Sequence, residues 1–487
     1  MKNEVGEYCG LCGVIGAGES ISALVAEGLF AQQHRGQEAS GIATLDSEGE
    51  ILLQKKNGLV SDLMLDFPDE MRSEDILAGI GHVRYGTFGG SSVINAQPIL
   101  VRMADIPVAI AHNGTISNAG VIRRSLQRKG HIFQTNTDTE IVLHLMSREL
   151  EDTDYNIEKC LQLAISKLEG AFCLLLLVPR GMYVIRDSMG FRPLSLGKIA
   201  DGGWIVASES IAFPVTDAEY VREILPGEML FFPIDGGESC CEPVSSISSM
   251  ELELFSESER RHAHCIFEHV YFARPGSFVF GDSVYEVRIE MGRQLAREYP
   301  ADCDMVMPVP DSGMFAAMGF ARELGLPLDM GFTRNHYVGR TFIDPGHATR
   351  AAMVMRKLQP IPEAIKGKKV CVVEDSIVRG TTSKARIKAL REAGALEVHM
   401  RISCPPHRHA CYFGIDFPEE SSLIANKYSV EEIRDILNLD SLGYMSVDGM
   451  LSCISAHPPE NYCTACFTGD YPVAPPITES NRKGRKI

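Results

Sequence analysis

Between residue 12 and about residue 235 the chain sets short apolar runs among Gly, Asn and Asp. CGVIG (12–16), SGIATL (40–45), AGIGHVRYG (78–86), VAIAHNG (108–114), AFCLLLLV (171–178), GMYVIRD (181–187) and GWIVASES (203–210) have strand length and turn-forming borders. AFCLLLLV is apolar throughout and predicts a buried strand. Two stretches, ISALVAEGLFAQQH (21–34) and DTEIVLHLMSREL (138–150), repeat instead at the helical period. Many strands with few helices predict a layered α/β or α+β domain. The Ser- and Glu-rich SSISSMELELFSESERRHA (245–263) marks a boundary.

After about residue 280 the pattern becomes strand, loop, helix. DMVMPVP (304–310) predicts a strand, DSG (311–313) a tight loop, and MFAAMGFARELG (314–325) a helix stopped at Gly325. KKVCVV (368–373) is the next strand and EDSIVRGTT (374–382) its loop. SKARIKALREAG (383–394) is a helix with Ile387 and Leu390 on one face, and EVHMRIS (397–403) a further strand. Such βαβ units build a parallel sheet, whose ligands bind where strands end and helices begin. Expected boundaries are 12–245 and 265–450, followed by a segment, 451–487, ending in the basic tail NRKGRKI. The tail reads as a solvated end.

Composition narrows the function classes. With 487 residues, 45% of them apolar, the chain can fill two or three cores. A net charge of −17 argues against nucleic acid or anionic lipid as partner. No signal peptide is evident, and no apolar run approaches the roughly 20 residues of a membrane span. A cytoplasmic protein is the expectation, with no membrane partner. The 14 cysteines then point to metal ligation, catalysis or burial rather than a disulfide framework.

Several clusters carry chemistry. In VVEDSIVRGTT (372–382) a strand delivers Glu374 and Asp375 to a sheet edge. Ser376, Arg379, Gly380, Thr381, Thr382 and Ser383 then lead into a helix N-terminus suited to an anion. The two acids suit sugar hydroxyls or a hard cation such as Mg²⁺. VPDSG (309–313), with Ser312, offers backbone N–H groups, and RNHYVGRTFI (334–343), with Arg334 and Arg340, reads as a closing flap. Upstream, QQHRGQEASGI (32–42), GHVRYGT (81–87), AHNGTISN (111–118) and TNTDTE (135–140) are individually weak, because NG also marks hairpins and TDTE also caps helices. Together, Arg84 and Asp138 can hold the charges of an amino acid, and Asn113 with Gly114 can form an oxyanion hole. A cysteine would complete the site. EYCGLCGVIGAG (7–18) offers two, Cys9 and Cys12, both followed by Gly. A second C-x-x-C, Cys463 and Cys466, joined by Cys265 and Cys411, admits zinc, an iron–sulfur cluster or unmetallated thiols.

EDSIVRGTT resembles the fingerprint of type I phosphoribosyltransferases, which bind 5-phosphoribosyl 1-diphosphate. The upstream set resembles the class II, N-terminal-nucleophile glutamine amidotransferases. YFARP (271–275), RNHYVGRTFI, YFGID (412–416) and CFTGDYP (466–472) extend the likeness, from Cys12 to about residue 472, to the amidophosphoribosyltransferase family in its iron–sulfur branch. The resemblance implies a four-layer αββα glutaminase domain followed by a parallel-sheet α/β phosphoribosyltransferase domain. It implies Cys12 as nucleophile after loss of a propeptide, residues 1–11, with Cys9 as rival. Arg84 and Asp138 would orient L-glutamine, and Asn113 and Gly114 would form the oxyanion hole. Asp375, Ser376, Arg379, Gly380 to Ser383 and Arg340 would bind the ribosyl diphosphate. Ser312, Glu374 and Asp375 would meet Mg²⁺. Cys265, Cys411, Cys463 and Cys466 would carry a [4Fe-4S] cluster. A homotetramer and feedback by purine nucleotides are further implications. One departure stands out: the family often has Asp-Asp where this chain has Glu374-Asp375. Sugar-phosphate amidotransferases share the first half but lack EDSIVRGTT. A ribosyl-diphosphate-binding regulator would leave the glutaminase set without a purpose.

Overall fold

The strand spelled GLCGVI, β1 (Gly10–Ile15), is buried at every position and paired on both edges. It lies fourth in a seven-stranded antiparallel sheet. The order is β11 (Ala218–Glu223), β9 (Ser195–Ile199), β10 (Trp204–Ala207), β1, β4 (Ile76–Arg84), β2 (Ala39–Asp46) and β3 (Ile51–Asn57). A second antiparallel sheet runs β13 (Ser248–Glu251), β12 (Glu228–Pro233), β8 (Gly181–Arg186), β7 (Gly170–Val178), β6 (Ile106–Ile116) and β5 (Ile99–Met103). This computed structural model describes residues 9–17, 20–85, 92–200, 202–234, 248–251, 262–335, 358–415 and 420–475. Arg340 and the rest of the flap beyond Asn335, residues 1–8 and the basic tail lie outside the described residues.

Strand alternation explains the layers. In β7, Cys173, Leu175 and Leu177 meet Leu11, Ile15, Ala43 and Ile80 of the first sheet. Phe172, Leu174 and Leu176 on its other face meet Ile141, Met146 and Leu161 of helices Glu140–Glu149 and Ile157–Ile165. Helix Ile21–Ala31 covers the outer face of the first sheet through Val25 and Leu29, against Val14 and Ile42. Helix, sheet, sheet and helix give the αββα stack. Because β7 is covered on both faces, its sequence shows no alternation. Pairing of Glu228 with Glu251 carries the second sheet past residue 245.

The later residues form a four-stranded parallel sheet in the order Met305–Pro308, Lys369–Glu374, Glu397–Ile402, Ser441–Tyr444. Helices Val284–Glu298 and Met314–Leu324 cross closely, since a Cβ on Gly319 would lie 1.9 Å from the Ile289 carbonyl oxygen. Thr381 and Thr382, expected in the loop, already form the first turn of helix Thr381–Glu392. The segment after residue 450 folds back: Tyr462–Cys463 pairs in parallel with His264–Cys265. That pairing brings the second C-x-x-C beside Cys265.

Candidate functional site

The first site forms where β1 begins. Cys12 does not belong to it. Its partners are Gly81 on β4 and Ala207 on β10, so it sits in mid-strand. Its side chain packs with Val14 against helix Ile21–Ala31, and a Cβ on Gly28 would lie 2.5 Å from its sulfur. Burial alone drives its thiol far above the usual range, with no charged neighbour to oppose it. The expectation of Cys12 as nucleophile is corrected by strand parity: odd residues Leu11 and Ile15 face the second sheet, whereas Cys12 faces away.

Cys9 shares the parity of Leu11. The register Gly10 with Val83 places it at the strand mouth, beside Arg84. Burial raises its thiol. The Tyr85 backbone N–H donates to the sulfur, and Arg84, Asp138 and Arg35 act on its charge. Arg35 Nε also donates to the Cys9 carbonyl at 3.2 Å. Arg84, the last residue of β4, is buried. Asp138 accepts the Ile116 N–H at 2.9 Å. Burial works against its charged form, but His112 and backbone N–H groups outweigh this and hold its pKa below the usual value.

Asn113 and Gly114 lie within β6, opposite Cys173 and Phe172 of β7. Gly114 has φ +141, and a Cβ there would sit 2.2 Å from the Ala171 carbonyl oxygen, so only glycine keeps the pairing. Asn113 is fully buried. Its Nδ2 donates to Ser208 Oγ at 3.3 Å, and its Oδ1 has no protein partner. Ser208 Oγ in turn accepts the Leu11 N–H at 3.0 Å, which ties Asn113 to β1. Sequence reasoning singled out neither Ser208 nor Arg35. Arg35 stands inside the QQHRGQ stretch, but its partners, Glu209 and Glu268, are too distant in sequence to be inferred.

The second site forms at the carboxyl ends of the parallel strands. Glu374 and Asp375 are both buried. Burial pushes Glu374 up to about 6; its carboxylate accepts from Arg386 and, at 3.3 Å, from Ser383 Oγ. Asp375 is likewise raised by burial, and the hydroxyls of Ser312 and Ser376 hydrogen-bond to it. The 309–313 loop is thus joined to the acidic pair through one hydroxyl. Gly380, at φ +75, turns the chain into helix Thr381–Glu392. The free N–H groups of that first turn face the end of the loop that carries Arg379. Arg334 ion-pairs with Asp311, so the described start of the flap sits against the 309–313 loop.

Cys265, Cys411, Cys463 and Cys466 line one pocket, together with Phe191, Arg192 and Tyr471. Burial pushes Cys265 up to about 11 and raises Cys463 and Cys466 as well, and these sulfurs interact with one another and with Cys411. Thiols so buried ionise only beside a positive centre. Among the described residues no three or more Cys, His, Asp or Glu are gathered tightly enough for a single metal ion. Four thiols lining one pocket are a donor set that zinc or an iron–sulfur cluster can take.

A glutamine amidotransferase domain family matches residues 90–214. The amidophosphoribosyltransferase of Methanothermobacter thermautotrophicus is 40% identical across 98% of this chain and 96% of its own length. The chain belongs to the amidophosphoribosyltransferase family. A relative from Methanocaldococcus jannaschii is 41% identical, over 95% of this chain and 98% of its own. Among solved structures, glutamine phosphoribosylpyrophosphate amidotransferase from B. subtilis, complexed with ADP and GMP, superposes with a TM-score of 0.85 at 38% identity, covering 95% of this chain and 97% of that one. An allosteric regulatory enzyme of purine biosynthesis reaches a TM-score of 0.87 at 39% identity, with 96% and 97% covered. The two-domain architecture is that of these amidophosphoribosyltransferase structures. Among the described residues no helix is long and apolar enough to cross a membrane.

Proposed function

We propose that Cys9 is the nucleophile with which this member of the family takes ammonia from glutamine. The activity is glutamine-dependent amidation of 5-phosphoribosyl 1-diphosphate, giving 5-phosphoribosylamine, glutamate and pyrophosphate. What supports the assignment is the place of Cys9 at the mouth of β1, on the face opposite to the core-packed Cys12, with Arg35 Nε on its carbonyl and Arg84 and Asp138 near enough to act on its charge. Arg84 holds the α-carboxylate of glutamine and Asp138 its α-ammonium. The Cys9 thiolate attacks the side-chain carboxamide carbon, and the Gly114 N–H with an Asn113 Nδ2 hydrogen stabilises the oxyanion. An amide nitrogen carries two hydrogens, so the bond to Ser208 leaves one for the substrate. Ammonia departs, leaving a thioester, and water releases glutamate. Removal of residues 1–8 gives Cys9 an α-amine, whose pKa of about 7.7–8.0 suits a general base.

Ammonia then displaces pyrophosphate at C1 of the ribose with inversion. The first turn from Thr381 to Ser383, with Gly380, cradles the 5-phosphate, Ser376 and Arg379 supporting the loop. Asp375 and Ser312 would hold Mg²⁺, which would supply positive charge against the leaving pyrophosphate. Glu374, engaged by Arg386, is the less direct ligand. Arg340 belongs to the closing flap. The four cavity cysteines would hold a [4Fe-4S] cluster of structural or oxygen-sensing role, since no electron is transferred. Inhibition by purine nucleotides, a homotetramer and a cytoplasmic location complete the proposal. The ADP and GMP bound to the B. subtilis relative support nucleotide regulation. The test is pyrophosphate release with both substrates and Mg²⁺. Release driven by ammonia but not by glutamine in Cys9→Ser, with Cys12→Ala still using glutamine, is the expected result; glutamine use surviving in Cys9→Ser refutes the assignment.

A further inference from the structure

One buried polar chain is not used by either half-reaction. Arg35, Arg192 and Glu268 are each at most 1% exposed, and Glu268 opens the π-helical turn Glu268–Phe272 just after Cys265. At the thiol cavity, the Cys411 sulfur accepts the Phe413 N–H at 3.4 Å. The Phe413 carbonyl accepts Nε and Nη2 of Arg192 at 3.2 and 2.8 Å. Arg192 Nη1 donates to Glu268 Oε1 at 3.3 Å. Arg35 grips the same carboxylate through both Nη atoms, at 2.7 and 3.1 Å. Its Nε closes the path on the Cys9 carbonyl at 3.2 Å. Five consecutive links therefore run from a cavity cysteine to the backbone of the nucleophile, with Glu268 at the centre.

Buried charges of this kind contribute little net stability compared with apolar packing, but removing one member strands the others without solvent. They fix geometry. Turning the Cys9 carbonyl rotates its Cα, and with it the directions of sulfur and amine. A fork of two guanidinium groups on one carboxylate permits few alternative arrangements.

The geometry points to Glu268 as a positioning residue that couples the four-thiol centre to the reactivity of Cys9. Altered bonding at Cys411 moves Phe413 and Arg192, and the shared carboxylate passes that movement to Arg35. The chemistry transmitted is orientation, not electrons. The inference rests on Cys9 being the nucleophile.

The full chain, purified without oxygen, is treated with a diazoketone analogue of glutamine, and the rate of cysteine labelling is measured beside iron content. Glu268→Gln and Arg192→Lys should each slow labelling at least fivefold with iron retained, and the double variant should be no slower than the slower single. Removing the iron should slow labelling in the parent but not further in Glu268→Gln. If Glu268→Gln does not fold, Glu268→Asp carries the same comparison. Parental labelling rates in both single variants, losses that multiply in the double, or iron loss that tracks the slowing in Glu268→Gln would overturn the coupling. Parental labelling of Cys9→Ser would instead refute the nucleophile and leave the relay without an end point.

Discussion

Two cysteines three positions apart receive opposite environments because a strand alternates. Cys12 is core; Cys9 is beside the charged groups. The sequence could not separate them, since both precede glycine and either can open the first strand; only the register of β1 on β4 decides. Cys12→Ala should cost about 1 kcal/mol of stability, as expected for a small buried side chain, and leave glutamine use within about threefold of the parent. Cys9→Ser should lower glutamine-dependent turnover by about 1,000-fold and spare ammonia-dependent turnover. Steady-state assays with each nitrogen source, with urea unfolding in parallel, check both. Arg84, Asp138, Asn113 and Gly114 could be singled out from the sequence as candidates. Each lies in a short motif whose chemistry is local, and the fold needs only to bring the motifs together.

At the scale of elements, the strand-loop-helix stretches after residue 280 were readable because apolar runs, Gly stops and the EDSIVRGTT loop follow one another in sequence. Less readable was what crosses between them. The Ser312 hydroxyl joins the 309–313 loop to Asp375, and Arg386 on the following helix engages Glu374. Ser312→Ala should raise the KM for the ribosyl diphosphate several-fold while glutamine hydrolysis persists. A parallel loss of glutaminase activity would show that the two elements do not work separately. The close helix crossing is a second element-level feature. Gly319→Ala puts a methyl group against a backbone oxygen on the neighbouring helix. It should destabilise the chain by about 3 kcal/mol, read as a fall in the urea midpoint.

Across the whole molecule, the two catalytic halves share buried polar groups. Glu209 of the first domain accepts the Arg274 N–H at 2.8 Å and the Ser277 hydroxyl at 2.7 Å from the second. Such partners lie far apart in sequence, which is why the domains were legible and their seam was not. Buried histidines are also distributed through both domains. Burial lowers His82 to about 3, His269 to about 4 and His407 to about 3. In the unfolded chain they titrate near 6.5, so folding is favoured above that pH. Stability falls as protons bind the unfolded state below it. Three such groups cost about 4 kcal/mol per pH unit near pH 5. Urea midpoints that stay level between pH 7 and pH 5 would contradict this. The central claim is that the first half-reaction starts at Cys9. Its most direct test is to map the cysteine modified by a diazoketone analogue of glutamine. One label per chain on the peptide bearing Cys9 is expected; a label on Cys12 would contradict the account.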